Sequence, residues 1–267
     1  MGSTIILELS AKQQRKDLQQ LKNRILELAD KSYTRGTYTY TPFLGLSEQQ
    51  VFHAVEREVS YAGYEMYGGS PMCERKIIRF GKPDNLGYDE PFPITHIELC
   101  PATPKFAEHL THRDFLGALM NLGIERSTIG DIFVRDKEQG AILFCHENIA
   151  DYIIDNLNQV KHTNIKCDIP KGEAVLEMPE PRTVSVTVAS ERIDAVVAKL
   201  YNISRNSSQD LFSSGKIFVN GILVENTSYQ LKKDDAITVR GYGKFVYYGQ
   251  SGVSKKGKDR IEVGIFG

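Results

Sequence analysis

Residues 191–240 read ERIDAVVAKLYNISRNSSQDLFSSGKIFVNGILVENTSYQLKKDDAITVR, and this stretch decides the fold of the C-terminal third. Ile193, Val196, Val197 and Leu200 recur at helical spacing, which predicts an amphipathic helix from Arg192 to Tyr201. Ser204 is placed to cap a second helix, with Leu211 and Phe212 turned inward. Gly215 stands where a helix C-terminus favours a left-handed residue. Ile217-Phe218-Val219 and Ile222-Leu223-Val224 flank Asn220-Gly221, the signal of a two-residue hairpin turn. A further strand, Ala236 to Val239, closes the unit.

The cations in this stretch sit where stability alone does not favour them. Arg192 lies in the first turn of the first helix, and Arg205 lies in the first turn of the second, beside the Ser204 hydroxyl. A positive charge at a helix N-terminus opposes the dipole. Two such starts side by side would present two guanidinium forks and free backbone N–H groups, a surface suited to phosphates. Lys216 directly follows the second helix and joins them as a candidate.

At these residues the stretch resembles the RNA-binding domain named after the fourth protein of the small ribosomal subunit. Arg192-Ile193-Asp194 matches its opening, Ser204-Arg205 its second helix start, and Gly215 to Gly221 its glycine-bounded turn. Lys233-Asp234-Asp235 departs from the pattern, where the family usually has Gly before the Asp. The resemblance implies an αL-type fold of two helices on a small sheet. It also implies RNA contacts by Arg192, Ser204, Arg205, Gln209, Lys216 and Asn220.

At 267 residues the chain has room for two or three domains. A hydrophobic content of 41% and a charged content of 25% are those of a soluble globular protein. No apolar run is long enough to span a bilayer and the N-terminus has no signal-peptide core, so no membrane partner is expected. Met1-Gly2 begins like a myristoylation site, but residue 6 is Ile rather than Ser or Thr. Cys73, Cys100, Cys145 and Cys167 form no CxxC pair, and the six histidines make no HxxxH spacing. Reduced structural thiols, no metal and no cofactor are expected. The net charge of −1 hides an asymmetry: residues 182–267 carry 13 Lys/Arg against 8 Asp/Glu, and residues 1–181 carry 20 against 26. A polyanion would dock on the basic C-terminal third.

Upstream, Ser10-x-x-Gln13 reads as a capping box for a helix with Leu18, Leu21, Ile25 and Leu28 on one face. Ser47-x-x-Gln50 opens a second helix with Val51, Phe52, Val55 and Val59 inward and Gly63 as its stop. Tyr64 to Pro71 reads as a Tyr- and Gly-rich loop, and Glu74-Arg75-Lys76 leads into a strand from Ile77 to Phe80. From Ile94 the order is strand 94–99, helix 111–122, strand 130–135, strand 141–145, helix 147–157 and strand 164–168. That βαββαβ order is ferredoxin-like, as in RNA-recognition motifs. Base stacking in that motif needs aromatics on the third strand, and here the strand offers only Phe144. The proline-rich stretch 169–181 reads as a linker. The fold class is therefore α+β: a helical N-terminal region (1–72), an RRM-like middle domain (73–168) and a basic C-terminal domain (182–267).

After Arg240 the tail interleaves Tyr242, Phe245, Tyr247 and Tyr248 with Lys244, Lys255, Lys256, Lys258 and Arg260. Basic residues can track a backbone while aromatic faces stack on bases. The competing reading is a hairpin whose aromatics are core. Lys255, Lys256 and Lys258 are the stronger RNA candidates. Arg75, Lys76 and Arg113 form a possible second RNA contact; Arg75-Lys76 otherwise reads as a solvated pair.

His112-Arg113-Asp114 invites an enzymatic reading. A kinase loop needs Asn five residues after the Asp, and residue 119 is Leu. A pseudouridine synthase uses Arg-Leu-Asp, whereas here the order is Arg-Asp-Phe. Thr111-x-x-Asp114 serves better as a helix cap, with Phe115, Leu116, Leu119 and Met120 packed behind it. No Gly-rich cofactor turn and no phosphate loop is present, so no small-molecule substrate is expected.

Taken in order, the helical start, Glu74-Arg75-Lys76, the run HRDFLGALMNLGIERSTIGDIFV from His112 and the C-terminal module resemble the YlmH family of bacterial RNA-binding proteins. The likeness covers nearly the whole chain. It implies a non-catalytic, cytoplasmic protein related to ribosome-associated quality-control factors that bind the large subunit and tRNA, encoded among cell-division genes. Four to six phosphate contacts would give a log–log salt slope of roughly −3 to −5. Two alternatives stand beside this reading: an RNA-modifying enzyme centred on Asp114, and an adaptor for division machinery that uses the acidic N-terminal helices.

Overall fold

Helix α1 spans Gly2–Arg35 in the computed structural model. It begins ahead of Ser10, which therefore stands inside the helix rather than at its cap. The structure describes residues 2–135, 140–172, 174, 176, 181–254 and 257–266, with side chains from Lys16 onward. The side chains of Ser10 and Gln13 lie outside that set. Ile25 and Leu28 of α1 are buried as their spacing predicts, with Ala29 beside them, whereas Leu18 is exposed.

The chain divides into two units, Met1–Glu177 and Met178–Gly267. In the first, β1 (Thr39–Tyr40) precedes α2 (Leu46–Val59), whose cap lies two residues ahead of the expected one. Glu48 Oε2 accepts the Gly45 N–H at 2.6 Å, so Gly45 rather than Ser47 opens the helix. Phe52, Val55 and Val59 are buried against α1, and Gly63 ends this region at φ 68°. Strand β2 occupies Tyr64–Tyr67, where a loop was expected. Tyr64 and Met66 alternate with exposed neighbours and pack on the helices, the period of a half-buried strand. Strand β3 (Ile77–Phe80) is central, in the order β1-β3-β2.

A short α3 (Pro83–Leu86) leads to β4 (Ile94–Pro101), α4 (His112–Asn121), β5 (Ile129–Arg135), β6 (Gly140–His146), α5 (Ala150–Asn156), β7 (Gln159–Val160) and β8 (Thr163–Asp168). The antiparallel order β5-β6-β4-β8-β7 is the ferredoxin-like arrangement expected from the βαββαβ pattern. Alternate strand residues Ile97, Leu99, Leu143 and Cys145 face α4 and α5, where Phe115, Leu119 and Ile153 meet them. Each such fully buried side chain contributes about 1.5–3 kcal/mol.

The second unit carries a six-stranded sheet in the order β11-β10-β12-β13-β14-β9. Its strands are β9 (Arg182–Val188), β10 (Ile217–Val219), β11 (Ile222–Leu223), β12 (Ala236–Val239), β13 (Gly243–Val253) and β14 (Asp259–Ile265). Helices α6 (Ile193–Leu200) and α7 (Arg205–Ser213) lie between β9 and β10 in the chain. Asn220 and Gly221 have φ of 51° and 82°, the two left-handed residues that a tight hairpin with right-handed strand twist requires. Gly215 is left-handed at φ 64°, as its place after α7 predicts. The sheet is larger than the sequence signals suggested, because the tail forms the long β13–β14 hairpin. Phe245 and Tyr247 of that hairpin are core residues, so neither is available to stack on a base.

Candidate nucleic-acid interface

The starts of α6 and α7 are brought together by one carboxylate. Asp194 is fully buried in the first turn of α6. The Arg192 guanidinium grips it with both arms, Nε at 3.0 Å from Oδ1 and an Nη at 3.1 Å from Oδ2. Arg205 Nε approaches the same Oδ2 at 3.6 Å. A buried carboxylate is tolerated because it is paired, and the pairing fixes where both guanidiniums stand. The helices are also joined by a side chain, since the buried Ser208 Oγ–H donates to the Asp194 backbone carbonyl at 3.0 Å. Ser204 caps α7 by accepting the Ser207 N–H at 3.0 Å.

The two arginines keep open surface while anchored: the Arg192 side chain is 34% exposed and that of Arg205 58%. Gln209 is exposed one turn beyond Arg205 and shares its helix face. Beside Arg205 opens a groove of about 390 Å3, its apolar lining made by Val188, Ala189, Ala195, Ala198 and Ile203. Lys199 and Lys258 stand on its border together with Arg205, and Asn202 lines it in a left-handed conformation at φ 51°. Lys258 and Arg205, 53 residues apart, were both expected to meet RNA and do share this groove. Lys199 and Asn202 were not expected; the first is an ordinary helix C-terminal lysine in sequence, and only the tertiary fold carries it to the groove.

Other expected contacts are placed differently. Lys216 is exposed, but it follows the far end of α7, about 15 Å along the axis from Ser204. Its neighbour is Arg240, whose N–H donates to the Lys216 carbonyl and whose guanidinium lies over Phe218. Asn220 is engaged by the turn it forms: Nδ2 donates to Asp235 at 2.9 Å and Oδ1 accepts the Ala236 N–H at 2.9 Å. That geometry gives Asn220 a structural task in the turn. Lys255 and Lys256 lie outside the described residues.

The possible second contact is similarly rearranged. Arg75 donates to the carbonyls of Ile129, Phe43 and Arg126 at 2.9, 2.8 and 3.3 Å. Its guanidinium thus ties β5 to the segment before α2, instead of cradling phosphate. Lys76 pairs its backbone with Leu44 and keeps a half-exposed side chain. Arg113 is exposed on the border of a separate 550 Å3 depression with Lys161, Asn121 and Asn158.

The sheet face that an RNA-recognition motif would offer to bases is covered. Phe144 is 1% exposed and packs with Cys73, Ile142, Ile94, Phe133, Ala174 and Leu176. The loop after β2 lies so close that a Cβ on Gly69 would meet Phe144 Cδ1 at 2.3 Å, which glycine alone avoids. A ring in that setting cannot stack on a base.

Asp114 is also engaged. One oxygen accepts the Thr111 N–H at 2.8 Å and the Thr111 hydroxyl at 2.7 Å, and Lys161 Nζ reaches it at 2.8 Å. Lys161, then Thr111, hold its carboxyl down at about 2, so it is a poor general base. Burial pushes the Cys73 and Cys145 thiols up to about 12, which suits inert packing. Among the described residues no three or more His, Cys, Asp or Glu side chains gather as a metal site, and no helix is long and apolar enough to cross a membrane.

Comparison with known proteins gives two family matches. The S4 domain model matches residues 191–237, the stretch built around Asp194. A model described as "Putative RNA-binding domain in YlmH" matches residues 89–171, the ferredoxin-like region. The chain is 30% identical over 226 residues to ribosome-associated protein quality control protein P2 of Bacillus subtilis (strain 168), covering 83% of this chain and 84% of that protein. The solved structure of cell division protein ylmH from Streptococcus pneumoniae is 21% identical, over 57% of this chain and 90% of its own, with a TM-score of 0.42.

Proposed function

Because the chain belongs to the YlmH family of RNA-binding proteins, we propose that it acts without catalysis by docking on structured RNA through residues 182–267. The intended targets are ribosomal RNA of the large subunit and tRNA, and the setting is ribosome-associated quality control in the cytoplasm. One observation carries the reading: a single buried carboxylate holds two half-exposed arginines at adjoining helix starts, beside a groove bordered by two more cations. Such an array neutralises phosphates in register, where a lone surface lysine would only attract them. Arg192, Arg205, Gln209, Lys199 and Lys258 meet the RNA, Ser204 holds the start of α7, and Lys216 reaches a more distant phosphate. The division into regions 1–72, 73–168 and 182–267, joined by 169–181, belongs to this proposal.

The absence of catalysis is supported by the occupied state of Asp114, whose carboxylate is committed to a helix cap and a lysine. Sedimentation on ribosome gradients tests the reading. Wild type should travel with the large subunit, while Arg192→Ala/Arg205→Ala, combined with Asp194→Asn so that no buried charge is left unpaired and shown to be folded by a thermal melt, stays at the top. Equal sedimentation of both proteins would end the assignment of the interface.

A further inference from the structure

Between its cations the groove beside Arg205 is lined by apolar side chains: Val188, Ala189, Ala195, Ala198 and Ile203. Three of these lining residues are alanines, Ala189, Ala195 and Ala198, at positions where longer side chains would fill the space. Its border is cationic at Lys199, Arg205 and Lys258, and among the described residues no Asp or Glu lines it. The Asn202 amide and the Thr187 hydroxyl add polar groups among the lining residues. A volume of about 390 Å3 lies within the range of sites that take small organic groups.

An unbroken RNA duplex has no use for such a lining, because it presents phosphates and riboses and keeps its bases stacked. An apolar peptide would leave three cations without partners. A planar apolar ring with an anion on either side fits both parts. We propose that the groove receives one unstacked nucleotide of a structured RNA, its base on the alanine lining and its flanking phosphates on Arg205, Lys199 and Lys258. This inference rests on the reading of residues 182–267 as the RNA-binding face and adds what that face selects: a bulged or looped-out nucleotide. The lining holds no aromatic ring and few hydrogen-bonding groups, so selection is for an extruded base rather than for its identity.

Binding of the full chain to three labelled RNA hairpins tests the idea: a fully paired stem, the same stem with one bulged adenosine, and that bulge with an abasic site. Wild type should bind the bulged adenosine at least fivefold more tightly than the other two. Replacing the adenosine by uridine should change this by less than twofold. Ala198→Leu, which fills the groove and leaves every cation, should bring the bulged hairpin to the affinity of the paired one. Ala195→Leu serves as a second filling variant, and thermal melts confirm that each is folded. Equal binding of all three hairpins by wild type, with the Arg192→Ala/Arg205→Ala loss still present, overturns the nucleotide groove and leaves the RNA face standing. A bulge preference that survives both leucine variants also overturns it. If wild type binds none of the hairpins, the RNA-binding reading of the face falls, and the groove with it.

Discussion

The ferredoxin-like sheet and the paired helix starts of the C-terminal unit carry similar raw signals, and their local environments give them opposite fates. In the sheet, the aromatic that would stack a base is sealed beneath Gly69, and the nearby arginine spends its donors on three carbonyls. At the helix starts, two arginines are anchored at one edge by Asp194 and remain open at the other. A cation or a ring is available to a partner only when the fold fixes it without using it up. The same residue types are therefore spent on packing in one unit and left open in the other.

The largest effect that would break this contrast comes from the interface. Arg192→Ala/Arg205→Ala removes two charge-assisted contacts, each worth roughly 1.5–3 kcal/mol, so RNA affinity should fall ~100-fold or more by fluorescence anisotropy. That variant carries Asp194→Asn as well, since the buried carboxylate would otherwise lose its partners. In the sheet the effect should appear in stability instead. Phe144→Ala should cost about 3–5 kcal/mol in denaturant unfolding of the first unit, with RNA affinity within twofold of wild type. A loss of affinity in folded Phe144→Ala protein would reopen the sheet as an RNA platform. Arg75→Ala should destabilise that unit by roughly 1–3 kcal/mol, because the Phe43 carbonyl loses the guanidinium and its tie to β5 is cut, again with binding unchanged. The smallest effect is pH-dependent. The Asp114 carboxyl is depressed to about 2 by Lys161 and Thr111, so its contribution is present above its unfolded value of 3.8 and lost as pH falls toward 2. The difference in melting temperature between wild type and Asp114→Asn should be full at pH 7 and fade across that acid range.

Elements defined by local period were legible in sequence. The Asn220-Gly221 hairpin, the Ser204 cap, the strand 236–239 and the βαββαβ order each follow from a repeat or a turn residue within a few positions. Features made by distant residues were not. Arg75 and Arg192 look alike in sequence, and only the fold shows that one faces carbonyls and the other a carboxylate. Strand β2 was hidden because the glycines after Tyr67 suggested a loop, although the alternation of Tyr64 and Met66 was its available signal. Phe245 and Tyr247 read equally well as core or as stacking platform until β14 paired along β13. The groove had no sequence signal at all, since alanines at helical spacing say nothing of empty space.

Asp194 also changes what the arginines count for in solution. A carboxylate locked between two guanidiniums is a resident counterion, and the fork it holds carries a net charge of about one rather than two. Small ions have less to gain or lose there when RNA arrives, so the salt dependence of binding should be about one unit shallower than a tally of the contacting cations implies. The protein thus keeps its grip at ionic strengths where an equally basic but unpaired surface would let go.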